Sequence, residues 1–157
     1  MPAKTSARRR LELSYLIGHF VTDHLVRTFK LFDGDLTAAI VLATIAQHNL
    51  QRYYDEVARD SGPGLDRLVE TGEHLPHLRY CNTLSVSAAT GIPRETVRRK
   101  VRWLEQQGWI SVGERGQLEV SRGLGERFAA FDAAMIERFE TCARKVVGIL
   151  DAPAAPG

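Results

Sequence analysis

The chain has 157 residues, of which 44% are apolar and 25% are charged, and its formal net charge is only +2. These values predict one ordinary globular domain, and they do not by themselves indicate a nucleic-acid partner. No apolar run reaches the roughly 18 residues that a membrane span needs, and the N-terminus lacks a signal-peptide core, so we expect a cytoplasmic protein with no membrane partner. Cys81 and Cys142 belong to no CxxC-type motif, which argues against a disulfide framework or a thiolate metal site.

The N-terminal half contains two predicted helices and one segment without a clear pattern. Residues 1–7 and 151–157 are predicted to be disordered tails, with a single domain over 8–150 between them. Apolar residues recur at helical spacing over 8–31, and Asp35 is a suitable N-cap for a second helix, which its apolar composition predicts to be the most buried. The segment 53–80 carries several Gly and Pro breaks and is predicted to be a loop or insertion in a core of about 35–120.

The C-terminal half has sharper signals. A short helix over 84–90 is predicted to end at Gly91, and a second helix over 93–107 is predicted to end at Gly108. Two short alternating runs around a Gly-bounded turn predict a β-hairpin over 110–120. A long helix follows over 124–150, whose apolar residues are spaced by threes and fours: Leu124, Phe128, Phe131, Met135, Phe139, Cys142, Val146 and Ile149. The predicted fold class is mainly α with a small β-hairpin.

The helix over 93–107 has an apolar back and a cationic front. At 100° per residue, Val97, Val101 and Leu104 share one face. The remaining faces carry the candidate DNA-binding residues, Arg94, Glu95, Thr96, Arg98, Arg99 and Arg102, and Arg115 lies at the hairpin tip. Arginine forks onto guanine or phosphate, glutamate accepts from the cytosine amino group, and the threonine methyl contacts thymine. From the hairpin tip, Arg115 is placed to reach a phosphate or the adjacent minor groove.

A cationic helix face is often only a solvated surface, but this helix does not stand alone. A helix, a glycine turn, a second helix and a hairpin follow each other in the order of a winged helix-turn-helix. In that layout the second helix enters the major groove, and the hairpin, or wing, lies on the adjacent backbone or minor groove. The combination favours sequence-specific binding of double-stranded DNA over a merely solvated face.

The run from Leu84 to Ile110, LSVSAATGIPRETVRRKVRWLEQQGWI, resembles the winged-helix signature of GntR-type and MarR-type bacterial transcription regulators. The resemblance implies that Arg94, Glu95 and Thr96 read bases and that Arg98 contacts the DNA backbone. The helical projection instead favours Arg99 over Arg94. Because the N-terminus of a recognition helix commonly points into the groove, we rank residues 94–96 first and Arg99 next. The sequence departs from the family pattern at two positions. Pro93 replaces the usual Ser or Thr, and Lys100 replaces a small apolar residue.

The long terminal helices predict a homodimer. A helix over 124–150 extends about 40 Å at 1.5 Å per residue, which exceeds what one winged domain buries, although it is also able to cover its own core. We expect the helices 8–31 and 124–150, which resemble the flanks of MarR-type proteins, to form a dimer seam. Two-fold symmetry then predicts an inverted-repeat operator.

Other functional classes have weaker support. No nucleophile elbow, P-loop, dinucleotide fingerprint or HExxH motif is present, so we expect neither an enzyme nor a cofactor. His74 and His77 near Cys81 form a surface-loop pair more readily than a metal site, since Pro76 prevents a helical pair. A winged-helix protein of plasmid or phage replication or partition, or a winged-helix module for protein contacts, stays an alternative. A small-molecule effector is left open, because no residue pattern identifies a ligand.

Overall fold

The computed structural model describes residues 7–57 and 80–152, and for 52–57 it describes the backbone alone. The helices are α1 (Ala7–Leu31), α2 (Leu36–Val57), α3 (Thr83–Thr90), α4 (Arg94–Gln106) and α5 (Leu124–Asp151). Strands β1 (Ile110–Val112) and β2 (Leu118–Val120) pair antiparallel, with Ile110 opposite Val120. The described chain is therefore mainly helical with one small hairpin, as predicted. No described helix has an apolar stretch long enough to cross a membrane.

The described helices begin or end away from the predicted bounds at several places. Helix α3 begins at Thr83 rather than at 84, and α4 spans Arg94–Gln106 rather than 93–107. Helix α1 already includes Ala7, and α5 extends to Asp151, so both helices continue by one residue into the predicted tails. Helix α2 continues to Val57, past the predicted start of the loop at 53. The physical reason at the end of α2 is that a helix continues where no Gly or Pro interrupts it, and none occurs between Leu36 and Gly62. Apart from Tyr80 and Ala152, the rest of the tails and of the 53–80 segment lies outside the described residues.

The chain divides into two compact units, Asp35–Leu124 and Met1–Gly34 with Gly125–Gly157. In the first unit, α2 supplies more buried residues than any other described element: Ala38, Ala39, Val41, Leu42, Ile45 and Asn49. Around it lie buried residues of α3, α4 and the hairpin region: Val86, Val97, Val101, Leu104, Trp109, Ile110 and Leu118. Helix α2 is nevertheless not buried on all sides, because Ile40 is 49% exposed.

In the second unit, α1 and α5 run antiparallel. The Arg9 guanidinium donates to the carbonyls of Ile149 (2.7 Å) and Leu150 (3.1 Å), so it caps the C-terminus of α5, where a cation is also favoured by the helix dipole. Further along the pair, aromatic rings meet across the two helices: Phe20 with Phe139, His24 with Phe131, and Phe32 with Phe128. Part of the α5 stripe predicted as a dimer seam therefore packs within the chain, against α1.

Candidate nucleic-acid interface

The turn between α3 and α4 depends on two local caps. Asn82 is the N-cap of α3. Its Oδ1 accepts hydrogen bonds from Leu84 N at 2.9 Å and from Ser85 N at 3.0 Å. Gly91 ends α3 with φ +72°, a left-handed conformation, and its N–H donates to Ser87 O at 2.9 Å. Only glycine adopts this conformation without a steric penalty, so the sequence signal at Gly91 is explained by the backbone.

A side-chain network closes the same turn. Ser87 Oγ donates to Ile92 O at 2.7 Å, and Ile92 N donates to Thr90 Oγ1 at 3.2 Å. These bonds satisfy backbone groups that the two helix ends leave without helical partners. The relative placement of α3 and α4 is therefore fixed by short-range hydrogen bonds as well as by apolar packing.

Helix α4 presents its arginines outward. Its inner face buries Val97, Val101 and Leu104, in agreement with the helical projection. Of the predicted site residues, Thr96 is half-buried and the others on α4 are exposed: Arg94, Glu95, Arg98, Arg99 and Arg102. The apolar contacts hold the helix in the unit while its charged side chains stay in solvent, which is the arrangement that a groove-reading helix requires.

The N-terminal half of α4 carries charges of both signs. Arg98 Nη1 lies 3.4 Å from Glu95 Oε2, and both side chains are well exposed. An exposed pair of this kind contributes little to stability, so either side chain exchanges its partner at small cost. Pro93 occupies the N-cap position and forms no side-chain cap, although its carbonyl accepts from Val97 N at 3.0 Å. The α4 N-terminus is thus left without a side-chain oxygen from its capping residue.

Lys100 is the cation of α4 that points inward, towards α2. Its ammonium forms a salt bridge with Asp35, and the two side chains are 18% and 31% exposed. Asp35 Oδ1 also accepts from Ala38 N at 2.9 Å, which confirms the predicted N-cap of α2. Burial raises the pKa of Asp35, but the hydrogen bonds from Lys100 and from Ala38 N outweigh it and hold that pKa below its ordinary value.

The hairpin turn holds Arg115 at its exposed tip. Gly113 N donates to Gln117 O at 2.9 Å, and the Gln117 side-chain oxygen accepts from Arg115 N at 2.9 Å. A Cβ atom on Gly113 would lie 2.5 Å from the Gln117 Cδ atom, so a side chain there would displace Gln117. The tip is therefore shaped by Gly113, one of the glycines that bound the predicted turn, and by Gln117, which sequence reasoning did not single out.

A buried asparagine on α2 closes the outer edge of the hairpin. Asn49 is 0% exposed, its Nδ2 donates to Leu118 O at 3.1 Å, and its Oδ1 accepts from Val120 N at 2.9 Å. On the same edge Leu118 N donates to Cys81 O at 2.8 Å. The signal that sequence reasoning missed is a single polar residue continuing the apolar stripe of α2.

Among the described residues, neither cysteine nor histidine chemistry adds a second candidate site. Cys81 is buried, and burial raises the pKa of its thiol, which disfavours the reactive thiolate. Within residues 7–57 and 80–152, no group of three or more His, Cys, Asp or Glu side chains is arranged to hold a metal ion. His74 and His77 lie outside the described residues.

Comparisons of the chain with protein-family models, with characterised proteins and with solved structures give no match. Its function therefore has to be inferred from the residues and geometry of the candidate interface itself.

Proposed function

We propose that the chain is a cytoplasmic, dimeric bacterial transcription regulator. It binds double-stranded DNA sequence-specifically, as a winged helix-turn-helix does. Helix α4 is the recognition helix in the major groove, and the β1–β2 hairpin is the wing on the adjacent backbone or minor groove. The observation that carries the proposal is the two-sided character of α4, whose inner face is buried while four arginines are exposed, namely Arg94, Arg98, Arg99 and Arg102.

The roles of the side chains follow from their positions along α4. Residues at the N-terminus of a recognition helix point most directly into the groove, so Arg94, Glu95 and Thr96 are assigned to bases. Arg98 and Arg102 are assigned to phosphates, and Arg99 to either. Lys100 is excluded from DNA contact, because its ammonium is held by Asp35 inside the unit.

The wing contributes a separate cation. Arg115 lies in the exposed turn of the hairpin, whose backbone is held by Gln117. An arginine on such a turn contacts phosphate or enters a narrow minor groove, where the negative potential is strongest. Base reading by α4 and backbone contact by the wing therefore contribute separately to DNA affinity. Mutations in one element or the other distinguish the two contributions.

The test is the selection of bound sequences from a random duplex pool, followed by affinity titration at two salt concentrations. The wild type is expected to enrich an inverted repeat. Arg94→Ala is expected to lose about 1–3 kcal/mol of specific binding and to relax one base position. Arg98→Ala is expected to weaken all sequences alike and to reduce the salt slope by about one unit. Arg144→Ala, which removes the same charge from an exposed site on α5, is the control and is expected to change neither.

Each other outcome rejects part of the proposal. Enrichment and affinity that are unchanged in Arg94→Ala reject the assignment of the reading residues. Salt-sensitive binding without enrichment rejects sequence-specific regulation in favour of an architectural role. No binding even at low salt rejects the DNA function, and the exposed face of α4 then becomes a protein-contact surface.

A further inference from the structure

Helices α1 and α5 form a pair without a core. They contain 25 and 28 residues, and neither has a buried residue. The pair is antiparallel along its length, from Arg9 beside Ile149, through Leu16 beside Cys142, to Phe32 beside Phe128. Most helical stability in water comes from burying an apolar face against other elements, and two helices bury too little to stand alone. The pair therefore requires further helices.

Helix α1 is apolar on the side that faces α5 and also on the side that faces away. Phe20 and His24 contact rings of α5. On the remaining surface several large apolar side chains are exposed by 45% or more: Leu11, Tyr15, Ile17, Val21, Leu25, Val26 and Phe29. An apolar surface wider than the face that one partner covers is typical of a helix that packs against more than one other helix.

Helix α5 extends this exposed surface on one flank only. Ile136, Phe139, Val147 and Leu150 are each more than half exposed. At 100° per residue in an antiparallel pair, this flank lies on the same side as Ile17, Val21 and Leu25 of α1. We call these seven residues of α1 and α5 the open apolar face.

The opposite flank of the pair carries charged and polar side chains. It is a groove of about 510 Å³ whose lining includes His19, Asp23, Glu137, Thr141 and Lys145 beside the rings of Tyr15 and Phe20. There the Asp23 carboxylate forms salt bridges with Arg27, whose Nε lies 2.8 Å from its Oδ2, and with Arg138, whose Nε lies 3.0 Å from the same oxygen. The two flanks of the same helix pair thus differ in chemistry. The open apolar face exposes large apolar side chains to solvent, whereas the other flank exposes charged ones.

We propose that a second copy of the chain covers the open apolar face, so that α1 and α5 of the two copies form a four-helix bundle. Two-fold symmetry brings a surface against itself, which an apolar face tolerates and a charged flank does not. The side of two helices that are each about 40 Å long and 10 Å wide offers roughly 800 Å² per copy, the size of a standard stable interface. This inference specifies the surface of the dimer in the proposed function.

The experiment is sedimentation equilibrium of the full chain without DNA, so its outcome is independent of DNA binding. The wild type is expected at twice the chain mass of 17.5 kDa. Val21→Asp and Val147→Asp place a charge in the open apolar face and are expected to raise the dimer dissociation constant about 100-fold or more. Thr141→Asp makes the same charge change on the polar flank and is the control, which is expected to stay dimeric.

A monomeric wild type at all micromolar concentrations would overturn the proposal. So would dissociation of Thr141→Asp together with an intact Val147→Asp dimer, which would move the interface to the polar groove. Far-UV circular dichroism checks that each variant keeps its helix content. If an aspartate variant unfolds, the milder Val21→Thr and Ile136→Gln take its place, and unchanged dissociation constants in both overturn the proposal.

Discussion

A single ion pair decides what Lys100 is able to do. The sequence places Lys100 on a cationic helix, and the Asp35 carboxylate, 65 positions away in the chain, holds its ammonium within the unit. Asp35 at the same time caps α2 through Ala38 N. The same carboxylate therefore joins the start of α2 to the middle of α4. It also neutralises the charge of Lys100, so the positive charge that α4 exposes comes from its arginines.

Asp35→Asn tests this link through pH. Asn keeps the acceptor for Ala38 N but removes the charge opposite Lys100. Because the folded pKa of Asp35 is lowered, its contribution is full above the unfolded-chain pKa and is lost as pH falls through the folded pKa. We expect the variant to lose at most about 1 kcal/mol of unfolding free energy at pH 7, and the difference to shrink towards pH 3. Urea unfolding at several pH values measures it.

The matched control for this measurement is Asp33→Asn, which removes the same charge two residues earlier. Asp33 is exposed and has φ +50°, a left-handed conformation that Asn adopts readily, so its loss is expected to change little. A difference between Asp35→Asn and wild type that persists undiminished at pH 3 would contradict the ion-pair explanation.

At the scale of elements, the hairpin depends on α2 as much as on its own turn. A two-stranded hairpin is marginally stable by itself, and its outer edge exposes backbone donors and acceptors. Here Asn49 satisfies Leu118 O and Val120 N, and Cys81 O accepts from Leu118 N. The Asn49 carboxamide and the Cys81 carbonyl thus supply the hydrogen bonds that a third strand would otherwise give to the open edge of β2.

Asn49→Ala is expected to lower the unfolding free energy by about 1–3 kcal/mol, because it leaves buried backbone groups unsatisfied. If Asn49 positions the wing, the same change also weakens DNA binding several-fold, and this loss disappears in an Arg115→Ala background, where the wing no longer contributes. A double-mutant cycle of affinities measures the coupling. Gln47→Ala, on the exposed side of α2, is the control, and equal losses in both Arg115 backgrounds would show that Asn49 does not act through the wing.

At the scale of the whole molecule, the proposed dimer sets the spacing of its DNA sites. Two recognition helices related by a two-fold axis reach major grooves about one helical turn apart, 10–10.5 base pairs, or a multiple of it. Inserting five base pairs between the half-sites rotates one of them by about half a turn and is expected to abolish tight binding. Val147→Asp is expected to bind single half-sites weakly and to be insensitive to the insertion.

Electrophoretic mobility shifts on the selected inverted repeat, with and without five and ten inserted base pairs, measure this dependence. The ten-base-pair insertion restores the helical phase but moves the half-sites about 34 Å farther apart, so it separates a loss of phase from a loss of reach. Tight wild-type binding to the five-base-pair insertion would contradict a rigid dimer on two half-sites.

The local structure was predictable from the sequence because short-range chemistry decides it. The left-handed glycine at position 91, the Asp35 cap and the separation of Val97, Val101 and Leu104 from the arginines all depend on neighbours within one or two helical turns. The exposed candidate site on α4 follows from that separation, and its assignment to DNA stays a prediction.

Only the tertiary structure decided which polar groups meet across long stretches of the chain. No local spacing indicates that Lys100 contacts Asp35 or that Asn49 completes the edge of β2, since each pair depends on how separate elements pack. The same holds for α5, whose Phe131 meets the His24 ring of α1 and whose Phe128 meets the Phe32 ring just after α1, while Ile136 and Val147 stay exposed. Periodicity identifies an apolar helix face, but the contacts that cover it are fixed by packing in three dimensions.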